Sequence, residues 1–176
     1  MKTLIFDTET TGIPKHPNSK MNVQPKIIEF AGIIVDETGE IIDQMEFTLN
    51  PGEKLEAVTT KITGLTDEDL KDSPGFKDVL DELRNFFASA DAMLAHNLPF
   101  DSTLLELELK RLGVTDFPFP EIKICTVQEH AEEWGRRPKL AELYEYYMKE
   151  KLNQTHRALD DVEALAKVAK SAGVLR

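Results

Sequence analysis

Apolar and polar positions alternate from Thr3 to Asp7 in a short β-prone segment, the pattern of a strand. Ile27 to Val35 is a longer apolar run, interrupted by Glu29, and predicts a buried strand. Glu37-Thr38-Gly39-Glu40 supplies turn chemistry before a third strand over Ile41–Leu49, which Asn50-Pro51-Gly52 stops. Three strands joined in this way predict an antiparallel meander. The period then changes. Phe76, Val79, Leu80, Leu83, Phe86 and Phe87 recur at helical spacing. Short strands over Ala92–Ala95 and Ile122–Cys125 alternate with helices over Ser102–Leu112, Thr126–Trp134, Leu140–Met148 and Arg157–Ser171. The sum is an α/β chain with a mixed sheet covered by helices.

Composition narrows the class. The 176 residues are 41% hydrophobic and 30% charged, as in a globular protein, and no run approaches the ~20 apolar residues of a membrane helix. The amino-terminal segment reaches acids too soon to read as a signal peptide. A single cysteine, Cys125, leaves no internal disulfide and fits a reducing, cytoplasmic setting. The net charge of −11 argues against a protein that coats long nucleic acid. It leaves open an enzyme that grips a few nucleotides through cations, since bound cations invert local charge. Against this acidic background, the stretch from Thr10 to Ile28 has no acid but holds Lys15, Lys20 and Lys26. Its prolines make it a long loop, expected to help hold a substrate strand. Arg136, Arg137 and Lys139 form a smaller basic cluster.

Several acids sit where acids are costly. Asp7 and Glu9, two apart on a strand, point to one side. They read either as solvated acids at a strand end or as a pair that a cation neutralises. Asp101 reads as the N-cap of the following helix or as a carboxylate leaning towards its apolar stripe. In the last helix, Asp160 lies on the polar face with Glu163, Lys167 and Lys170. Asp161 lies at the edge of the buried face with Val162 and Leu165, where an isolated charge needs a partner. His156 precedes that helix and is expected to project over the carboxylates.

Four converging acids suit two hard cations, Mg²⁺ or Mn²⁺, rather than Zn²⁺. Two such ions roughly 4 Å apart can clamp an in-line phosphoryl displacement. A histidine titrating near neutrality can take the proton from the attacking water.

Three segments carry a family resemblance. Phe6-Asp7-Thr8-Glu9-Thr10-Thr11-Gly12 resembles the first motif of the DEDDh 3′–5′ exonucleases, D-x-E-T-T-G. His96-Asn97-Leu98-Pro99-Phe100-Asp101 resembles the second, H-N-x-x-F-D, and His156-Arg157-Ala158-Leu159-Asp160-Asp161 the third, H-x-A-x-x-D. Their order and spacing are similar to those of the proofreading epsilon subunit of bacterial replicative polymerases. The resemblance implies a ribonuclease H-like fold, with a five-stranded sheet, over a single exonuclease domain at residues 1–176. It implies release of nucleoside 5′-monophosphates from the 3′ end of single-stranded DNA, in proofreading or repair. Asp7, Glu9, Asp101 and Asp161 would ligate two Mg²⁺ or Mn²⁺ ions, with His156 as general base. Thr10, Ile13, Leu65, Asn97 and Phe100 would cradle the terminal nucleotide, and Phe100 equally suits the core. Ile62-Thr63-Gly64-Leu65-Thr66 resembles a family segment in which histidine is common where Thr63 stands. His96 is expected to be structural and His130 to lie on a solvated helix face.

The alternatives are an enzyme trimming RNA 3′ ends, as oligoribonucleases do, and a non-catalytic module that binds a polymerase or a nucleic-acid end. Oligoribonucleases typically carry methionine after the first motif's glutamate, where this chain has Thr10. A calcium-binding domain lacks its contiguous acidic loop here. DNA is the expected partner, RNA and a DNA polymerase subunit the alternatives, and a membrane is not expected.

Overall fold

The first strand runs further than its apolar segment indicates. In a computed structural model, which describes residues 1–153 and 155–175, β1 spans Thr3–Thr10 and carries Asp7 and Glu9 within it. It pairs antiparallel with β2 (Ile27–Val35), and β2 with β3 (Ile41–Thr48), the meander expected from the pattern. On its other side β1 pairs parallel with β4 (Ala92–Ala95), which pairs parallel with β5 (Ile122–Cys125). The sheet order is β3-β2-β1-β4-β5. Every residue of β2 is buried, as befits a strand covered on both faces, while the edge strand β3 is largely exposed.

Helices cover both faces. Leu4 and Phe6 point to α3 (Phe76–Ala88) and α4 (Leu98–Arg111), where Phe6 stacks on Phe30 and meets Phe87 edge-on among Leu83, Phe86, Leu104 and Leu105. Ile5, Ala31 and Ile33 point to the opposite face. There α6 (Leu140–Met148) and α7 (Ala158–Ser171) supply Leu143, Tyr144, Val162 and Leu165. Gly32 lies mid-strand under α3. A Cβ there would stand 2.8 Å from Phe86 Cε1 and 3.1 Å from Leu4 Cδ1, so the missing side chain lets the aromatic ring reach the sheet.

Three expectations change. Two short helices, α1 (Ala57–Thr63) and α2 (Asp67–Leu70), occupy a segment with no apolar stripe; Val58 and Ile62 of α1 face outward. The helix expected from Ser102 begins at Leu98, with Asn97 at its N-cap in a left-handed conformation (φ 70°), so Asp101 is inside the first turn and is not the cap. His130, on α5 (Thr126–Trp134), is buried rather than solvated. Its Nδ1 bonds the Thr126 carbonyl at 2.7 Å and its Nε2 the Tyr147 hydroxyl at 2.9 Å, joining α5 to α6.

Candidate active site

The site is built where the carboxyl-terminal half of β1 meets the start of α7. Asp7 and Glu9 share a strand face with Ile5, the face covered by α7. Asp161 is buried in the first turn of that helix, on the same side as Ala158, Val162 and Leu165, and Asp160 beside it is exposed. One carboxylate oxygen each from Asp7, Glu9 and Asp161 lie within 4.8 Å of one another.

Asp101 approaches from α4. Its Oδ1 accepts hydrogen bonds from the Thr8 backbone N–H at 3.1 Å and the Thr8 hydroxyl at 2.7 Å. Thr8 points to the opposite face of β1 from Asp7 and Glu9, so this acid is anchored from the α4 side of the strand. It stands outside the three-acid cluster but close enough to raise the pKa of Asp7.

The lead-in to α7 is tied to the sheet by the glutamate that interrupts the apolar run of β2. Glu29 of β2 is opposite Glu9 in the ladder and fully buried. Its carboxylate accepts from Arg157 Nε at 2.9 and 3.2 Å, from Arg157 Nη2 at 2.5 Å, and from the Ala158 N–H at 3.0 Å. His156, just before, is exposed and has a positive φ of 53°. The signal was present in the sequence, since a glutamate inside an apolar strand needs a partner; nothing local named Arg157 as that partner.

A cleft of about 720 Å³ opens beside the acids, lined by Glu9, Thr10, Ile13, Lys15, Thr63 and Phe100 among others. Ile13 is 71% exposed on its wall, and the Thr10 hydroxyl donates to the Gly12 carbonyl at 2.7 Å. Phe100 packs on the core as well as facing the cleft. Asn97 is held by Arg137 Nη2. Leu65 is 5% exposed and packs with Ile28 and Leu70, while Val58 and Ile62 of α1 line the cleft. The Thr63 hydroxyl is committed to the Thr59 carbonyl (2.9 Å) and the Leu65 N–H (3.2 Å). Of the three loop lysines, Lys15 lines the cleft and Lys20 is exposed. Lys26 is engaged with the Pro51 carbonyl at 2.6 Å and Glu53 at 3.4 Å. His96 is fixed by Thr126 Oγ1 at 2.9 Å and the Pro138 carbonyl. Burial lowers its pKa to about 4, which keeps it neutral.

The exonuclease family model (RNase_T) matches residues 4–169. The chain belongs to this exonuclease family. The PolC-type DNA polymerase III of Bacillus subtilis (strain 168) is 34% identical over 164 residues, 93% of this chain and 11% of the polymerase. That of Staphylococcus aureus (strain bovine RF122 / ET3-1) is 35% identical over 164 residues, again 93% and 11%. The chain thus spans 11% of the length of these curated relatives. Among solved structures, the nuclease domain of 3′hExo, a DEDDh family member bound to rAMP, superposes with a TM-score of 0.79 at 19% identity. The match covers 99% of this chain and 94% of that one. Exonuclease X in complex with 5′ overhanging duplex DNA gives 0.68 at 23% identity, covering 97% and 93%. Both share the ribonuclease H-like fold described above.

In the exonuclease domain the acids disfavour one another's charge. Burial, then Asp101, Glu9, Asp161 and Glu29, push the Asp7 carboxyl well above the usual carboxylate range. Burial, then Asp161, Glu29 and Asp101, raise Glu9 to about 8, against a smaller opposing pull from Arg157. Burial raises Asp101 to about 7 although its Thr8 hydrogen bonds favour the carboxylate. An all-carboxylate donor set that burial makes unwelcome to its own charge fits a hard divalent cation.

Proposed function

We propose that this chain is a 3′→5′ exonuclease domain that removes nucleoside 5′-monophosphates from the 3′ end of single-stranded DNA, in proofreading or repair. The observation that carries the reading is the convergence of Asp7, Glu9 and Asp161 from two elements, with Asp101 anchored beside them. These four acids are suited to hold two Mg²⁺ or Mn²⁺ ions, which when bound neutralise the acids and the charge gathering on the phosphodiester. Ile13, Val58, Ile62 and Phe100 offer apolar surface to the terminal base, with Thr10 and Asn97 at its sugar and phosphate. Since the Thr63 hydroxyl is committed to backbone partners, this segment offers little base-specific readout. His156, exposed just before α7, takes the proton from the attacking water.

DNA is favoured over RNA because PolC-type DNA polymerases are among the relatives above 30% identity. A polymerase, as partner or as the remainder of a longer chain, is the corresponding protein context. The test is incubation of 3′- and 5′-labelled single strands, DNA and RNA in parallel, with and without Mg²⁺. The expected result is a ladder shortening from the 3′ end of DNA, abolished by chelator. Cleavage from the 5′ end, or an unchanged strand with cation present, contradicts it.

A further inference from the structure

Glu29 is fully buried in a central strand, yet its three donors among the described residues come from the two residues that follow His156. Taking the Glu29 carboxylate out of water is costly and its attraction to the half-exposed Arg157 guanidinium offsets that cost only in part, so net stability is a poor reason for the pair. What a two-toothed guanidinium–carboxylate contact does supply is a fixed geometry. The geometry matters at this point in the chain. Residues 149–153 and 155–157 belong to no helix or strand, and Arg157, the N-cap of α7, makes no side-chain cap of its own. The Glu29 carboxylate performs that capping from the sheet, through the Ala158 N–H. Thr155 is tied to the other side of the turn. Its hydroxyl donates to Asp160 Oδ2 and accepts from the Arg157 N–H at 3.3 Å. His156 is thus the residue between two anchors, with its backbone in a left-handed turn.

We propose that Glu29 and Arg157 are positioning residues that set His156 relative to the acids of β1 and α7. The proposal rests on the reading of His156 as general base. A base must stand within hydrogen-bond reach of the proton it takes. A displacement of about 1 Å can cost on the order of 10²-fold in rate. Glu29 is opposite Glu9 on the neighbouring strand, so the clamp refers the histidine to the same strand pair that carries Asp7 and Glu9.

The test is a double-mutant cycle on 3′ trimming of a single-stranded DNA at saturating Mn²⁺. His156→Ala alone is expected to slow kcat by about 10²–10⁴-fold. Glu29→Gln and Arg157→Lys are each expected to slow kcat roughly 10-fold or more, with KM and the half-saturating Mn²⁺ concentration within about 2-fold of wild type. In the His156→Ala background the same substitutions should change kcat by less than about 2-fold, because the group they position is gone. Arg157→Lys keeps the charge and removes the fork, so it tests the clamp even where Glu29→Gln unfolds, and circular dichroism reports which variants are folded. Equal slowing by Arg157→Lys with and without His156 overturns the clamp alone, as does a wild-type rate in folded Arg157→Lys. An undiminished rate in His156→Ala overturns the base assignment and the clamp together.

Discussion

Asp160 and Asp161 are neighbours in sequence with opposite surroundings. Asp161 is 6% exposed and shares the cluster with Asp7 and Glu9, whereas Asp160 is exposed and receives the Thr155 hydroxyl. Asp161→Asn is therefore expected to lower turnover by at least about 10³-fold and Asp160→Asn by less than about 5-fold, since asparagine still accepts from Thr155. Equal losses in a steady-state assay would contradict the assignment. The raised carboxyls also bear on stability against pH. Glu9 titrates near 8 in the folded chain against 4.5 unperturbed, and Asp101 near 7 against 3.8. The folded state therefore holds protons that the unfolded state has released. The stability these groups contribute is complete below about pH 4 and is lost as pH rises through about 8. In chelator, the thermal midpoint is expected to fall between pH 5 and pH 9, and Mg²⁺ should restore it far more at pH 9. A Glu9→Gln variant should show a shallower fall.

The strands place these residues, and β2 is the strand with least tolerance. Gly32→Ala would drive a methyl group to 2.8 Å from the Phe86 ring, so an overpacking loss of about 1–3 kcal/mol is expected, read as a lower urea midpoint with the acids unaffected. Elements announced by an apolar run, stripe or bounding turn were legible in the chain: β1, β2, β4, α3 and α4 to α7 follow runs or stripes that are buried, and β3 and β5 were marked by their short β-prone segments although much of each is exposed. What escaped was decided by tertiary contacts. The α1 and α2 segment buries Thr59, Thr63 and Leu70 rather than a stripe, so no period announces it, and the burial of Leu65 against Ile28 and Leu70 is set by tertiary packing. His130 is on a helix face that looks polar until Tyr147 of α6 is set against it. The acids of the cluster were legible from the motifs and from the stripe. The anchoring of Asp101 by Thr8, and of the His156 turn by Glu29, needed the strands to be side by side.

On the scale of the whole molecule, the proposed function asks a chain of net charge −11 to receive a polyanion. Long-range attraction is therefore weak, and binding depends on a few cations at the cleft. Lys15 lines it and Lys20 is exposed beside it in sequence, while Lys26 is occupied by Pro51 and Glu53. Replacing Lys15 and Lys20 with glutamine is expected to weaken single-strand binding and to flatten its log–log salt slope by about 0.7 for each phosphate that is no longer neutralised. Lys26→Gln should leave the slope unchanged. A slope unchanged in the double variant would reduce the loop to a connector.

Carboxylates from separate elements must form one cation site for any of this chemistry to proceed. Isothermal titration of Mn²⁺ into the chain at pH 8 tests that convergence most directly. The expected result is saturable binding with two ions per chain, with the tighter site abolished in Asp7→Asn and Asp161→Asn and retained in Asp160→Asn. Binding that is absent in the unsubstituted chain, or that survives unchanged in Asp7→Asn, would contradict it.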